Sequence, residues 1–147
     1  MFRSIVVGTD GSDTATRAVS QAVELAGAVG AKLDIVSAYE PVSAQRLAEE
    51  RRQAPEDLQW AISPREDVEA TLEAAAAIAR EAGIAVEVYP RQGDPADAIL
   101  DVAEERESDL IVVGNKGMTG AKRFLLGSVP NKVSHHAPCS VLIIRTI

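Results

Sequence analysis

Five short apolar runs punctuate the chain: Ile5 to Thr9, Leu33 to Ala38, Val86 to Tyr89, Leu110 to Gly114 and Val141 to Ile144. Between them lie longer stretches in which apolar residues recur at helical spacing. Several of the runs are apolar nearly throughout rather than alternating, as in strands that helices cover on both faces. Strands alternating with helices predict βαβ units and therefore a parallel sheet.

The helical stretches carry their own start and stop signals. Ser12 can cap a first helix that places Ala15, Ala18, Ala22 and Ala26 on one face, and Gly30 can close it. Ser63-Pro64-Arg65-Glu66 has the form of a capping box with proline at the first helical position, and Gly83 ends that helix. Asp94-Pro95 opens a third helix with Ile99, Leu100 and Ala103 facing inward. Ser128 opens a fourth with Val129 and Val133 on its apolar side. Residues 41–62 break the pattern. They carry Glu49, Glu50, Arg51, Arg52, Pro55, Glu56 and Asp57, with Trp60 near the end, and read as an exposed, partly helical excursion. Trp60 is expected to cover the core edge. No internal repeat or second domain is visible, so residues 1–147 are expected to form one domain.

Composition narrows the function classes. An apolar share of 46% and a charged share of 25% are ordinary for a globular protein. Aromatic residues supply only 3%, so the core must rest on Val, Ile, Leu and Ala. A net charge of −7 argues against nucleic acid as a partner, which usually demands a basic face. An anionic ligand would have to be held by local backbone dipoles. No apolar run approaches the roughly 18 residues of a membrane span. The start, Met1 to Gly8, is too short an apolar stretch for a signal peptide, which makes the cytoplasm the expected location. Cys139 is the single cysteine, excluding an internal disulfide and a cysteine-based zinc site; it is expected to pack as a small hydrophobe.

The strongest chemical signal follows the fourth run. Gly114-Asn115-Lys116-Gly117, nine further residues and Gly127-Ser128 form a glycine-spaced loop between a strand and a helix. Glycine lets backbone approach a ligand closely, and the N–H groups and dipole of a following helix favour an anion. In an open α/β sheet ligands sit beyond the carboxyl ends of the strands, where the strand order reverses. Gly8-Thr9-Asp10-Gly11-Ser12 after strand 1 and Ser37-Ala38-Tyr39 after strand 2 should meet the glycine loop there. Asp10 repels phosphate directly. Three roles are open to it: accepting hydrogen bonds from a ribose hydroxyl or an adenine amine, holding a divalent cation that touches phosphate, or shaping the turn. Ala38 leaves room for a flat base. Lys116, Lys122 and Arg123 can add positive charge near the phosphates or simply solvate a loop. His135 and His136 fall late in helix 4, where a cation complements the dipole; as helical neighbours they point apart and are poorly placed to share a metal.

These segments together resemble the ATP-binding universal stress proteins, whose pattern is G-x2-G-x9-G-[ST]. Val7-Gly8-Thr9-Asp10-Gly11-Ser12 and His136-Ala137-Pro138-Cys139-Ser140-Val141-Leu142-Ile143 extend the resemblance over nearly the whole chain. It implies a flavodoxin-like (Rossmann-like) α/β fold: an open, parallel, five-stranded sheet in the order 3-2-1-4-5 with helices on both faces. It also implies that Gly8, Thr9 and Asp10 border an adenosine, Ala38 meets the adenine, and Gly114 lies against the ribose, with Val113 also among the nucleotide-binding residues. Gly117, Gly127, Ser128 and Val129 then line the phosphates, with Asn115 at a position the family varies. The implied cofactor is ATP or another adenine nucleotide, with or without Mg2+. The implied role is a stress-response or signalling module. No Ser-His-Asp or Cys-His set and no base beside a γ-phosphate is visible, so no catalytic residue is assigned and hydrolysis is expected to be slow or absent. Strand 5, Val141 to Ile144, is an uncharged apolar run expected at the sheet edge, which points to a homodimer.

Three other readings stand beside this one. A cyclic-nucleotide (cAMP) module would use the same fold. Thr9-Asp10-Gly11-Ser12-Asp13-Thr14 is loosely similar to the SGGxDS pyrophosphate loop of adenylating enzymes, yet Asp10 puts a carboxylate where that loop needs glycine. A phosphoacceptor receiver would use Asp10, Asp13 and Asp94. Asp94 precedes Pro95 as a helix cap would, and Arg145-Thr146-Ile147 lacks the receiver's lysine.

Overall fold

The computed structural model describes residues 1–39, 64–115 and 126–146. The expected 41–62 excursion with Trp60, the capping residue Ser63, and Lys116, Gly117, Lys122 and Arg123 lie outside them. The elements run β1 (Ser4–Gly8), α1 (Asp13–Val29), β2 (Lys32–Tyr39), α2 (Pro64–Glu81), β3 (Val86–Gln92), α3 (Pro95–Glu105), β4 (Leu110–Gly114), α4 (Ser128–His136) and β5 (Ser140–Ile144). The five strands form one sheet in the order β3-β2-β1-β4-β5, every neighbouring pair parallel. This is the topology expected from the sequence.

Side-chain alternation along the strands divides the core in two. Ile5, Val7, Leu33, Ile35 and Val112 point to the face covered by α1 and α2. Val6, Val36, Ile111 and Val113 point to the other, covered by α3 and α4. A strand buried on both faces has no polar side to show, which is why β1 and β4 read as continuous apolar runs.

The helix ends follow their local chemistry. The Ser12 hydroxyl accepts from the Ala15 N–H, and Gly30 closes α1 in the left-handed conformation (φ 73°). The Asp94 carboxylate caps α3, accepting from the Asp97 N–H at 3.1 Å. On α3, Ile99 and Ala103 are fully buried, while Leu100 packs at the margin. Strand β3 continues past the expected Tyr89 through Pro90 to Gln92. As an edge strand it needs no ladder N–H on its free side, so proline fits within it.

One charge inside the sheet has no counterpart in the sequence reading. Asp34 on β2 is 1% exposed, and among the described residues its Oδ2 has no hydrogen-bond partner; the Arg106 Nε lies 3.9 Å away. The guanidinium also meets Glu87 at 3.4 Å and stands over the Tyr89 ring, whose hydroxyl donates to Glu87 at 2.6 Å. Burial pushes the Asp34 carboxyl above its ordinary value; Lys32 and Arg106 pull it down, and Glu87 adds to the rise. A carboxyl that holds its proton more tightly in the folded state adds stability below its unfolded pKa, and loses that contribution as pH rises through the folded value. Asp34→Asn removes the loss. The variant's unfolding midpoint is therefore expected to gain on the parent's as pH is raised from about 3 to 7, and parallel curves would contradict this account.

Among the described residues, no helix is long and apolar enough to cross a membrane.

Candidate functional site

β1 and β4 lie side by side, but the connections that follow them leave toward opposite edges of the sheet. A crevice opens between their carboxyl ends. Gly8 and Val113-Gly114 form its floor, Thr14 and Ala15 of α1 one wall, and Val129 and Pro130 of α4 the other, with Thr146 closing one side. The crevice is shallow and open to solvent. Gly127 is the N-cap of α4 and, as glycine, supplies no side-chain oxygen to that helix end.

The turn after β1 is tightly held. The Thr9 N–H donates to the Val36 carbonyl at 2.9 Å, and the buried Thr9 hydroxyl accepts from the Gly11 N–H. Gly11 has φ 83°, and a Cβ there would meet the Thr71 hydroxyl at 3.1 Å, so both conformation and space call for glycine. Asp10 is exposed, and its Oδ1 accepts from the Ser12 N–H at 2.9 Å. It shapes the turn, as one of the sequence-based alternatives had it. Ala38 is half-buried on β2, which runs on past the Val36 that pairs with Gly8.

Asn115 is engaged by the protein itself. Its N–H donates to the Ile144 carbonyl at 2.8 Å, and its own carbonyl accepts from the Gly127 N–H at 3.0 Å. Its Oδ1 accepts from both the N–H and the hydroxyl of Thr146, at 2.8 and 3.1 Å. Of the expected site residues, Gly8, Val113, Gly114 and Val129 thus line one cleft. Thr9 and Asp10 follow Gly8 in the turn after β1, Ala38 lies further along β2, and Asn115, Gly127 and Ser128 frame the start of α4.

A profile of the universal stress protein family matches residues 1–145. The chain belongs to the universal stress protein family. A universal stress protein of Mycobacterium tuberculosis is 41% identical over 148 residues, covering 99% of this chain and 97% of that one. A universal stress protein solved in complex with cAMP is 38% identical, with a TM-score of 0.74 and 99% of both chains covered. The Archaeoglobus fulgidus universal stress protein solved in complex with dAMP is 28% identical, with a TM-score of 0.67 and 98% of both chains covered.

Within this universal stress protein fold, several groups of the competing readings have structural duties. Asp94 caps α3 and pairs with Lys132 of α4 at 3.4 Å, and Lys132 also reaches Asp97 at 2.9 Å. Cys139 is half-buried at the margin of the core, where burial pushes its thiol up. His135 and His136 are exposed in the last turn of α4. Among the described residues, no three His, Cys, Asp or Glu side chains gather in one place.

Sequence reasoning did not name Thr14, Pro130 or Thr146 as cleft residues. Thr14 and Pro130 were reachable, since each falls in the first turn of a helix that starts at the cleft. Thr146 had no local signal, because its burial depends on residues distant in the chain.

Proposed function

We propose that this universal stress protein binds an adenine nucleotide in the β1/β4 cleft. The observation that carries the reading is the switch-point crevice lined by Gly8, Val113, Gly114 and Val129, with the N-terminus of α4 beside it. The relatives solved with cAMP and dAMP support the ligand class. In this reading ATP is the ligand. Gly8, Thr9 and Asp10 border its adenosine, Ala38 meets the adenine, and Val113, Gly114 and Asn115 lie toward the ribose. Gly117, Gly127, Ser128 and Val129 line the phosphates. Where Mg2+ accompanies the nucleotide, Asp10, exposed in the turn after β1, is the carboxylate that would reach it. Hydrolysis is slow or absent, and the module works by being occupied or empty. The same reading includes a homodimer joined through β5.

The cAMP-bound relative favours a second reading, in which a cyclic nucleotide takes the same cleft. Calorimetry of the nucleotide-free protein with ATP, AMP and cAMP separates the two. ATP is expected to bind with one site per chain and more tightly than cAMP; the reverse order would favour the second reading. Absence of binding by all three at about 1 mM, a free energy weaker than about −4 kcal/mol, would overturn both.

A further inference from the structure

Thr146 follows the exposed edge strand β5, yet it is only 3% exposed. Its carbonyl accepts from the Arg17 Nη1 of α1 at 2.7 Å, and its N–H and hydroxyl both donate to the Asn115 Oδ1. Asn115 in turn accepts from Gly127, the N-cap of α4. One line of hydrogen bonds thus joins the two helices that wall the cleft, and Thr146 sits at its middle. The same side chain explains a glycine. A Cβ on Gly114 would come within 3.3 Å of the Thr146 Cγ2, tighter than ordinary contact, and 3.7 Å from its Oγ1.

We propose that Thr146 is a positioning residue of the nucleotide site, acting through Asn115 to hold the N-terminus of α4 against the end of β4. The inference rests on the adenine-nucleotide reading above. Its role depends on the hydroxyl. Valine has the shape of threonine but would put a methyl where Oγ1 stands, 3.1 Å from the Asn115 Oδ1. Carbon and oxygen rest no closer than about 3.3 Å, so the Asn115 side chain is pushed aside, and the displacement reaches Gly127 only through the Asn115 backbone, whose carbonyl accepts the Gly127 N–H. Serine keeps the hydroxyl and removes the methyl that crowds Gly114.

The test is calorimetric titration of the full chain with ATP and with cAMP, with unfolding midpoints measured alongside. Thr146→Val is expected to weaken binding about tenfold, and Thr146→Ser to leave it within about twofold. Gly114→Ala is expected to weaken binding, and the double variant Gly114→Ala/Thr146→Ser to recover most of that loss, because the clash it relieves is with Thr146. A merely stabilising Thr146 would lower the unfolding midpoint without moving affinity per folded molecule. Parental affinity in Thr146→Val overturns the proposal, as does a double variant no better than Gly114→Ala. Were Thr146→Val not to fold, the Gly114→Ala pair decides alone. A parental chain that takes up neither nucleotide overturns the underlying reading, and the inference with it.

Discussion

Gly127→Ala is expected to weaken ATP binding at least tenfold, about 1.4 kcal/mol or more, while the fold is kept. Gly127 is buried and has φ −62° and ψ 162°, a conformation open to any L-residue. Backbone strain, one of the two reasons a glycine can be indispensable, is therefore absent here. What remains is space. Gly127 stands at the N-cap of α4, its N–H bound to the Asn115 carbonyl, where the proposed phosphates would meet the positive end of the helix. A methyl group there intrudes between helix and phosphate. The change in capping is modest, since neither residue offers a side-chain oxygen, and should cost stability no more than about 1 kcal/mol. Calorimetry against the unfolding midpoint separates the two effects. Parental affinity in a folded Gly127→Ala protein would remove the phosphates from this helix end. Gly117→Ala, outside the described residues, carries the same expectation from the motif.

Legibility in this chain tracks how local the governing chemistry is. The ends of α1 and α3 were readable because Ser12, Gly30 and Asp94 act on backbone groups a few residues away. The strands were readable because burial on both faces leaves no polar alternation in β1 and β4. Asp34 lies inside an apolar run, and the ion pair it makes is with Arg106, supplied by the end of a helix 72 residues further on. Gly114 was recognised as special for a different reason from the one the structure displays. The sequence suggests a glycine for ligand approach, whereas the fold shows one crowded by the chain's own Thr146. Asn115 stood at a position the family pattern varies, and its side chain is given to Thr146, 31 residues away. The glycines and the strand order locate the cleft, but the hydrogen bonds that hold its walls together connect residues that no motif links.

The second large effect is expected at the sheet edge, where Ile143→Lys should convert a homodimer into monomers. β5 has β4 on one side and no strand on the other among the described residues. Its unpaired N–H and C=O groups invite a second strand, and edges left in water are usually guarded by charge or proline. Here Leu142 is 39% and Ile143 40% exposed, and Arg145 comes only after the strand. Register sets Leu142 beside Val112, on the α1 face, and Ile143 beside Val113, on the α4 face. Each face of the edge therefore offers apolar surface to a partner. Two β5 strands paired antiparallel about a two-fold axis would satisfy both backbones and cover both side chains. Burying the exposed remainder of Ile143 contributes about 1 kcal/mol per copy. Symmetry counts it twice, for about 2 kcal/mol or thirtyfold in dimer dissociation. Lysine forfeits that contribution and adds two charges that must either leave water or splay the edges apart. Light scattering across a dilution series, with circular dichroism to confirm the fold, reads the effect. A monomeric parent, or a variant that dimerises as tightly as the parent, would exclude β5 as the interface.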